Sequence, residues 1–443
     1  MRKRLSCVLA FALGAACTEA GLRESQLTLG GTPRRIAGTG DLSQPRFAGG
    51  AGDFLAVTDG GQPRMVFVVN AVTLEVEPVS FRPPPPGVPA TPTAAGEFVR
   101  DLLVVPDDDS SEGSVTGTAH RAVFLSQASN LLEPGSGIFF FRDSTQCFVK
   151  DLATGENFLV SATPDGLPGN HDVTSAVISS SGRFVAFATA ATNLYEPVNP
   201  SQAPNGASQV YVLDLQTGVL KLISATSAGE PGAGDSTDLA ITPDGRFVAF
   251  RSEATNLVAG DTNLSSDIFV YDRMHMTMEI ASVGGFLGSA EPVLSQDGNF
   301  VAFTARAGVT RQVFLRDRSA GITALVSTGA SGPADADCVS PSMTPDATLV
   351  AFASRATNLG GFPDPAGYSD VFVVNVGTGA LTQASIDVGG TVNGDGDSSQ
   401  PSLSPDGDFL AYISEALNVA DNDPYREDGD ANGRANLILA PLG

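Results

Sequence analysis

Short apolar runs rich in Val, Phe, Ala and Leu alternate with clusters of Gly, Pro, Asp, Asn and Ser along almost the whole chain, and none carries the 3.6-residue period of an amphipathic helix. The runs recur in a set order. An apolar stretch leads into Thr242-Pro243-Asp244-Gly245 and then Arg246-Phe247-Val248-Ala249-Phe250. The same pattern returns as Ser404-Pro405-Asp406-Gly407-Asp408-Phe409-Leu410-Ala411-Tyr412 and as Ser179-Ser180-Ser181-Gly182-Arg183-Phe184-Val185-Ala186-Phe187. A further run follows each one, as in Gln209-Val210-Tyr211-Val212-Leu213-Asp214 or Asp370-Val371-Phe372-Val373-Val374-Asn375. A tight turn such as Gln216-Thr217-Gly218 leads to a last run, Leu220-Lys221-Leu222-Ile223.

Each unit therefore predicts four strands. The marker residue that ends the second strand is Val57, Phe124, Phe187, Phe250, Phe303, Phe352 and Tyr412, at intervals of 49 to 67 residues. Self-similarity at such a period, in units that cannot bury their apolar faces alone, predicts an all-β, seven-bladed β-propeller of four-stranded antiparallel blades. The unit around Phe124 is distorted by Asp107-Asp108-Asp109-Ser110-Ser111, which leaves six blades as the other count. The last unit stops at its third strand, Asn436-Leu437-Ile438-Leu439. The strand Gln26-Leu27-Thr28-Leu29-Gly30 is expected to complete that blade and cover the edge an open ring would expose. Residues 82–95, with Pro83 to Pro86 in succession, predict a stiff polyproline-like insertion.

Ser/Thr-Pro-Asp-Gly-x-Phe-Val-Ala-Phe followed by Asp-Val/Ile-Phe-Val-x-Asp resembles the repeat of TolB-type propellers, relatives of the WD-repeat fold from bacterial envelopes. The resemblance spans nearly the whole chain. It implies binding through a propeller face and says little of activity, because propellers host many functions. The α/β domain that precedes the propeller in TolB is expected to be lacking, so TolB's partners are not carried over.

The N-terminal charges Arg2, Lys3 and Arg4 precede a mostly apolar run from Leu5 to Ala16 that is too short to cross a bilayer, which predicts a signal peptide over residues 1–16. Gly14-Ala15-Ala16-Cys17 resembles a lipoprotein signal and implies acylation of Cys17, with residues 17–24 as a linker to a propeller over 25–443. Gly14 stands where such signals carry an aliphatic residue, so ordinary cleavage to a soluble exported form stays open. Both readings expect export, and membrane contact through Cys17 only. Cys147 and Cys338 are expected to be small buried hydrophobes not joined to each other.

Net charge is -24, and beyond the signal the only lysines are Lys150 and Lys221. Phosphate backbones would be repelled, which argues against nucleic acid. Cations or a partner protein with a basic surface fit better. The acids gather in predicted loops on one face, in Gly234-Asp235-Ser236-Thr237-Asp238, Ala334-Asp335-Ala336-Asp337 and Gly394-Asp395-Gly396-Asp397, and either solubilise the protein or form a recognition face. Asp428-Gly429-Asp430-Ala431-Asn432-Gly433 places oxygen side chains at alternate positions, with Asn436 to follow. Asp428, Asp430, Asn432 and Asn436 are thus a candidate calcium cage similar to the first part of an EF-hand loop. Leu439 stands where that loop needs an acid. The shorter Asp261-x-Asn263-x-Ser265-x-Asp267 reads instead as an Asx turn.

Recurrent Asn130, Asn193, Asn256, Asn358 and Asn418 read as turn or capping residues, and Asp244, Asp297, Asp346 and Asp406 as hairpin residues, because a site would be unique to one or two blades. There is no Gly-x-Ser-x-Gly elbow and no phosphate-cradling Gly-rich loop ending in Lys. His120, His171 and His275 fall in separate units, so no catalytic residue is named. Without Trp and with six Tyr, the chain offers little to stack on sugars. The expected function is a protein-binding or scaffold module working through the acidic loop face, with calcium as a stabilising ion. The enzymatic alternative is a calcium-dependent hydrolase or lactonase in the channel, although Leu239-Ala240-Ile241, Val293-Leu294 and Ser402-Leu403 make the inner strands look apolar or small.

Overall fold

The structure is a computed structural model. It describes residues 120–128, 131–132, 144–195, 202, 204–360, 367–387, 389–416, 418–419 and 436–442, together with the backbone of strands lying between residues 34 and 115. The described residues form an all-β, propeller-type array of four-stranded antiparallel sheets with no α-helix.

Counting in chain order, the first and second sheets begin at Leu42–Phe47 and Ser110–Val115. The third contains Val173–Ile178, Phe184–Thr189, Gln209–Asp214 and Val219–Leu222. The fourth contains Ser236–Ile241, Phe247–Ser252, Asp267–Asp272 and Thr277–Ile280. The fifth, sixth and seventh begin at Leu287–Leu294, Cys338–Met343 and Ser398–Leu403. Sequence order and spatial order agree within six sheets. In the seventh, Ser398–Leu403, Phe409–Ser414 and Asn436–Pro441 are joined by Arg34–Ile36, whose register pairs Arg34 with Leu439 and Ile36 with Leu437. The strand that completes this sheet is thus Arg34–Ile36 and not Gln26–Gly30, which lies outside the described residues, as do residues 82–95 and Cys17. Leu42–Phe47 also lies against Ser398–Leu403.

The Phe-Val-Ala-Phe signature is explained by burial on both faces of the second strand. In the fourth sheet Phe250 packs with Ala186, Val210 and Val212 of the third, while Ala249 packs with Val301 and Phe303 of the fifth. Phe352 meets Ala302, and Tyr412 meets Ala351, in the same way. A large ring from one sheet thus enters the space left by an alanine on the sheet before it, which allows close packing between twisted sheets. The phenylalanine rings also stack on the strand beside them: Phe124 on Phe148, Phe187 on Tyr211, Phe250 on Phe269 and Phe352 on Phe372, with centroids 5.6 to 5.9 Å apart. Cys147 and Cys338 belong to this core and form no disulfide, and burial pushes the Cys338 thiol up to about 11.

A second repeated device clasps the third and fourth strands. Ser161, Ser224 and Ser327 donate from Oγ to Oε1 of Gln146, Gln209 and Gln312 at 2.6 to 2.7 Å, and each accepts the next backbone N–H, of Cys147, Val210 or Val313. The glutamine Nε2 donates to the carbonyl of Gly169, Gly232 or Ala334. Every polar atom of the clasp is used, as burial demands.

Candidate binding site in the channel

The recurrent asparagines are structural. Asn193, Asn256, Asn358 and Asn418 accept from the N–H of Asn170, Ala233, Asp335 and Asp395, and donate from Nδ2 to the carbonyls of Pro168, Pro231, Pro333 and Asn393. Asn130 lies outside the described residues. Asp244, Asp297, Asp346 and Asp406 each accept the N–H two residues on and a hydroxyl from the Thr or Ser that opens the turn. Both expectations hold.

Several loop acids are structural as well. Asp172, Asp235, Asp337 and Asp397 accept, at 2.6 to 2.7 Å, the N–H of Thr145, Ser208, Arg311 and Ser369 from the preceding sheet. They tie the start of one sheet to the one before it, in addition to any outward role. His120, His171 and His275 lie exposed in three different sheets and come together nowhere: His171 Nδ1 is 3.3 Å from Asn170 Oδ1, and His275 Nδ1 is 2.8 Å from Asp272 Oδ2. Asp428, Asp430 and Asn432 lie outside the described residues. Asn436 opens the strand Asn436–Pro441, and its side chain is not described.

The first strands surround a cavity of about 530 Å³. Its polar lining comes from a position that sequence reasoning passed over, the one four residues ahead of the turn-opening Ser or Thr. Ser175, Asp238, Glu291, Ser340 and Gln400 hold it in the third to seventh sheets, and all five line the cavity. The pairing register of the first strand slips here in the fourth to seventh sheets, and one residue earlier in the third. In the fourth to seventh sheets the residue takes a left-handed backbone, with φ of 49° at Asp238, 55° at Glu291, 53° at Ser340 and 52° at Gln400. A bulge of this kind re-aims a side chain, and left-handed backbone at a non-glycine residue costs about 1–3 kcal/mol, so a run of them in one ring points to use. A signal was available: Gln44-Pro45, Glu291-Pro292, Ser340-Pro341 and Gln400-Pro401 place a proline, which cannot donate to a ladder, inside four first strands.

Two adjoining sheets thus present carboxylates to the cavity. Thr237 Oγ1 donates to Asp238 at 2.8 Å. Glu291 reaches across to the sixth sheet, accepting the Ser340 N–H at 3.2 Å on both oxygens and the Thr304 hydroxyl at 3.0 Å. Burial pushes the Glu291 carboxyl above its usual value of 4.5, against those hydrogen bonds and the charge of Arg311, and Asp238 repels it further. The folded protein then holds this proton more tightly than the unfolded chain. The resulting stability is fully present below about pH 4.5 and is lost as pH rises through the folded value. Glu291→Gln, which cannot ionise, is expected to be more stable than the parent near pH 8 and to show no such gain near pH 4, in denaturant melts across pH.

The chain matches no protein-family model and no curated protein. Among solved structures it is similar to oligogalacturonate lyase from Vibrio parahaemolyticus, at 12% identity and a TM-score of 0.52 over 93% of each chain. It is also similar to an oligogalacturonate lyase in complex with manganese, at 13% identity and a TM-score of 0.52 over 90% of this chain and 88% of that one. TolB from Acinetobacter baumannii matches over 75% of this chain and 76% of its own, at 16% identity and a TM-score of 0.39. In the channel the described residues offer two carboxylates, the histidines lie elsewhere, and no group of three or more His, Cys, Asp or Glu among the described residues is placed to hold a metal. The chain has the β-propeller fold, of the kind its repeats resemble in TolB-type proteins and that oligogalacturonate lyase also carries.

Proposed function

We propose that the chain is an exported, seven-bladed binding propeller, closed by Arg34–Ile36, whose acidic loop face takes a protein partner with a basic surface. The observation that carries this reading is the pair of carboxylates, Asp238 and Glu291, set on left-handed bulges at the cavity. The overall charge of -24 steers cationic groups toward the molecule. Residues 1–16 act as the export signal and Cys17 as a lipid anchor, with residues 17–24 as tether. Calcium in the Asp428, Asp430, Asn432 and Asn436 loop stabilises the last blade. A fluorescein-labelled Lys/Arg-rich peptide tests the reading by anisotropy. Binding should weaken with added salt and fall by at least about tenfold, roughly 1.4 kcal/mol, in the Asp238→Asn/Glu291→Gln double variant. No binding, or binding indifferent to that variant, rejects it.

The second reading is catalysis in the channel by a calcium-dependent hydrolase or lactonase. It is favoured by the raised Glu291 carboxyl in a cavity, a usual property of a proton-transferring group. The lyases' substrate is not carried over, since oligogalacturonate is a polyanion and this cavity is lined by carboxylates. Turnover of a neutral ester or lactone, abolished by chelator, would favour catalysis over binding.

A further inference from the structure

The clasp that holds the third and fourth strands changes chemistry in the fourth and sixth sheets, where Asp267 and Asp370 accept the serine hydroxyl in place of a glutamine. Gln146, Gln209 and Gln312 each offer an acceptor to a serine and a donor to a backbone carbonyl. At the same position the fourth sheet has Asp267. Its Oδ1 keeps the serine bond, accepting from Ser282 Oγ at 2.6 Å, and Ser282 still accepts the Ile268 N–H. Its Oδ2 is an acceptor where the glutamines carry a donor, and it is buried with no hydrogen bond in a residue only 1% exposed. From the loop before it the Asn263 side chain hydrogen-bonds this carboxyl, and the charge of Asp261 acts against its ionisation. Asp261 also has a buried carboxylate oxygen, Oδ1, with no hydrogen bond. Asn263 Oδ1 accepts the Ser265 N–H at 2.9 Å, the Asx turn that the sequence predicts, so the turn explains that oxygen and leaves Asp267 Oδ2 and Asp261 Oδ1 without a partner.

Two buried acceptor oxygens without hydrogen bonds, on two acids whose charges repel each other, need either a proton or a cation. We propose that Asp261 and Asp267 bind one calcium ion. The donors are all oxygens, as a hard cation requires, and the site lies in a loop that can contribute carbonyl oxygens and water to complete the shell. Bound calcium takes the place of the glutamine Nε2 donor and fastens the 260–267 loop to the clasp. The swap from glutamine to aspartate converts a permanent internal bond into one that depends on the ion.

Asp267→Gln restores the residue that the chain itself uses in three sheets, and so it is expected to fold. The experiment compares parent and Asp267→Gln by calcium titration calorimetry and thermal melts, with and without chelator, in the Asp428→Asn/Asp430→Asn background, so that the last-blade loop contributes nothing. The parent should take up one calcium in about the 0.1–1 mM range of extracellular modules and melt higher with it. Asp267→Gln should lose that uptake and the calcium-dependent rise, while melting above the parent in chelator. Asp261→Asn should weaken uptake by at least tenfold. No uptake by the parent, with stability that falls as pH rises through the Asp267 titration, would mean that a proton fills the site and overturns the proposal. Uptake unchanged in Asp267→Gln would overturn it as well. Neither outcome bears on the channel, whose peptide test stands apart.

Discussion

Phe250→Ala is expected to destabilise the protein by about 3–5 kcal/mol, the range for removing a fully buried phenylalanine ring. Phe250 has no exposed surface, and its ring stacks on Phe269 with centroids 5.9 Å apart. Further neighbours lie across the gap in the third sheet, among them Ala186 of the same core cluster. Two small residues would then face each other between rigid sheets. Neither sheet can close the gap without dragging its own hydrogen-bonded ladder, so most of the cavity remains. Phe250→Leu keeps much of the volume and should lose well under half as much. The measurement is the urea midpoint at constant slope. A loss below about 1 kcal/mol for the alanine variant would mean that the sheets collapse freely onto each other, and that the paired large and small residues do not set the packing between them.

The same packing explains what the sequence made legible. A ring answered in the next strand by another ring or an aliphatic residue, with alanine between two apolar neighbours, is a local pattern repeated from unit to unit, so the marker positions Phe124 to Tyr412 all fall in second strands. The turn aspartates and the recurrent asparagines were legible for a related reason: a residue that serves the same bond in every unit must recur in every unit. The edge strand of the seventh sheet was not legible, because Arg34-Arg35-Ile36 is short and mostly charged. Such edges are poor in apolar signal, and Gln26–Gly30 carries the stronger apolar run. The cavity carboxylates were missed because alternation along a strand assigns faces only while the register holds. At Asp238 and Glu291 the register slips and the backbone turns left-handed, which sends the side chain to a face that a count by twos does not assign to it. The unexplained oxygen of Asp267 is invisible in sequence for the opposite reason, since Asp in a strand-opening position looks like its glutamine counterparts until the bonds of each atom are traced.

Gly245→Ala is the second large expectation, at a loss of about 2–5 kcal/mol, and it tests contact between sheets through the turn. Gly245 has φ of 72°, a conformation that costs an alanine about 1–2 kcal/mol. That term alone is tolerable here, because Ala347 holds the matching turn position in the sixth sheet with φ of 58°. The difference at Gly245 is Phe184, whose ring and β-carbon occupy the space that a methyl group would take. Phe184 cannot swing aside, because the Arg273 guanidinium lies over its ring with 3.7 Å to the centroid and also donates to the Gly245 carbonyl at 2.7 Å. Overpacking of this kind adds about 1–3 kcal/mol. Gly218 is the control, with nearly the same φ of 71° and nothing within 4 Å of an added β-carbon, so Gly218→Ala should lose only the conformational part. Equal losses at the two glycines, read from denaturant melts, would mean that the ring yields and that the turn face does not lock one sheet to the next. A clearly larger loss at Gly245 would locate part of the ring's rigidity in Phe184, held between an arginine of the following sheet and a turn that has no side chain.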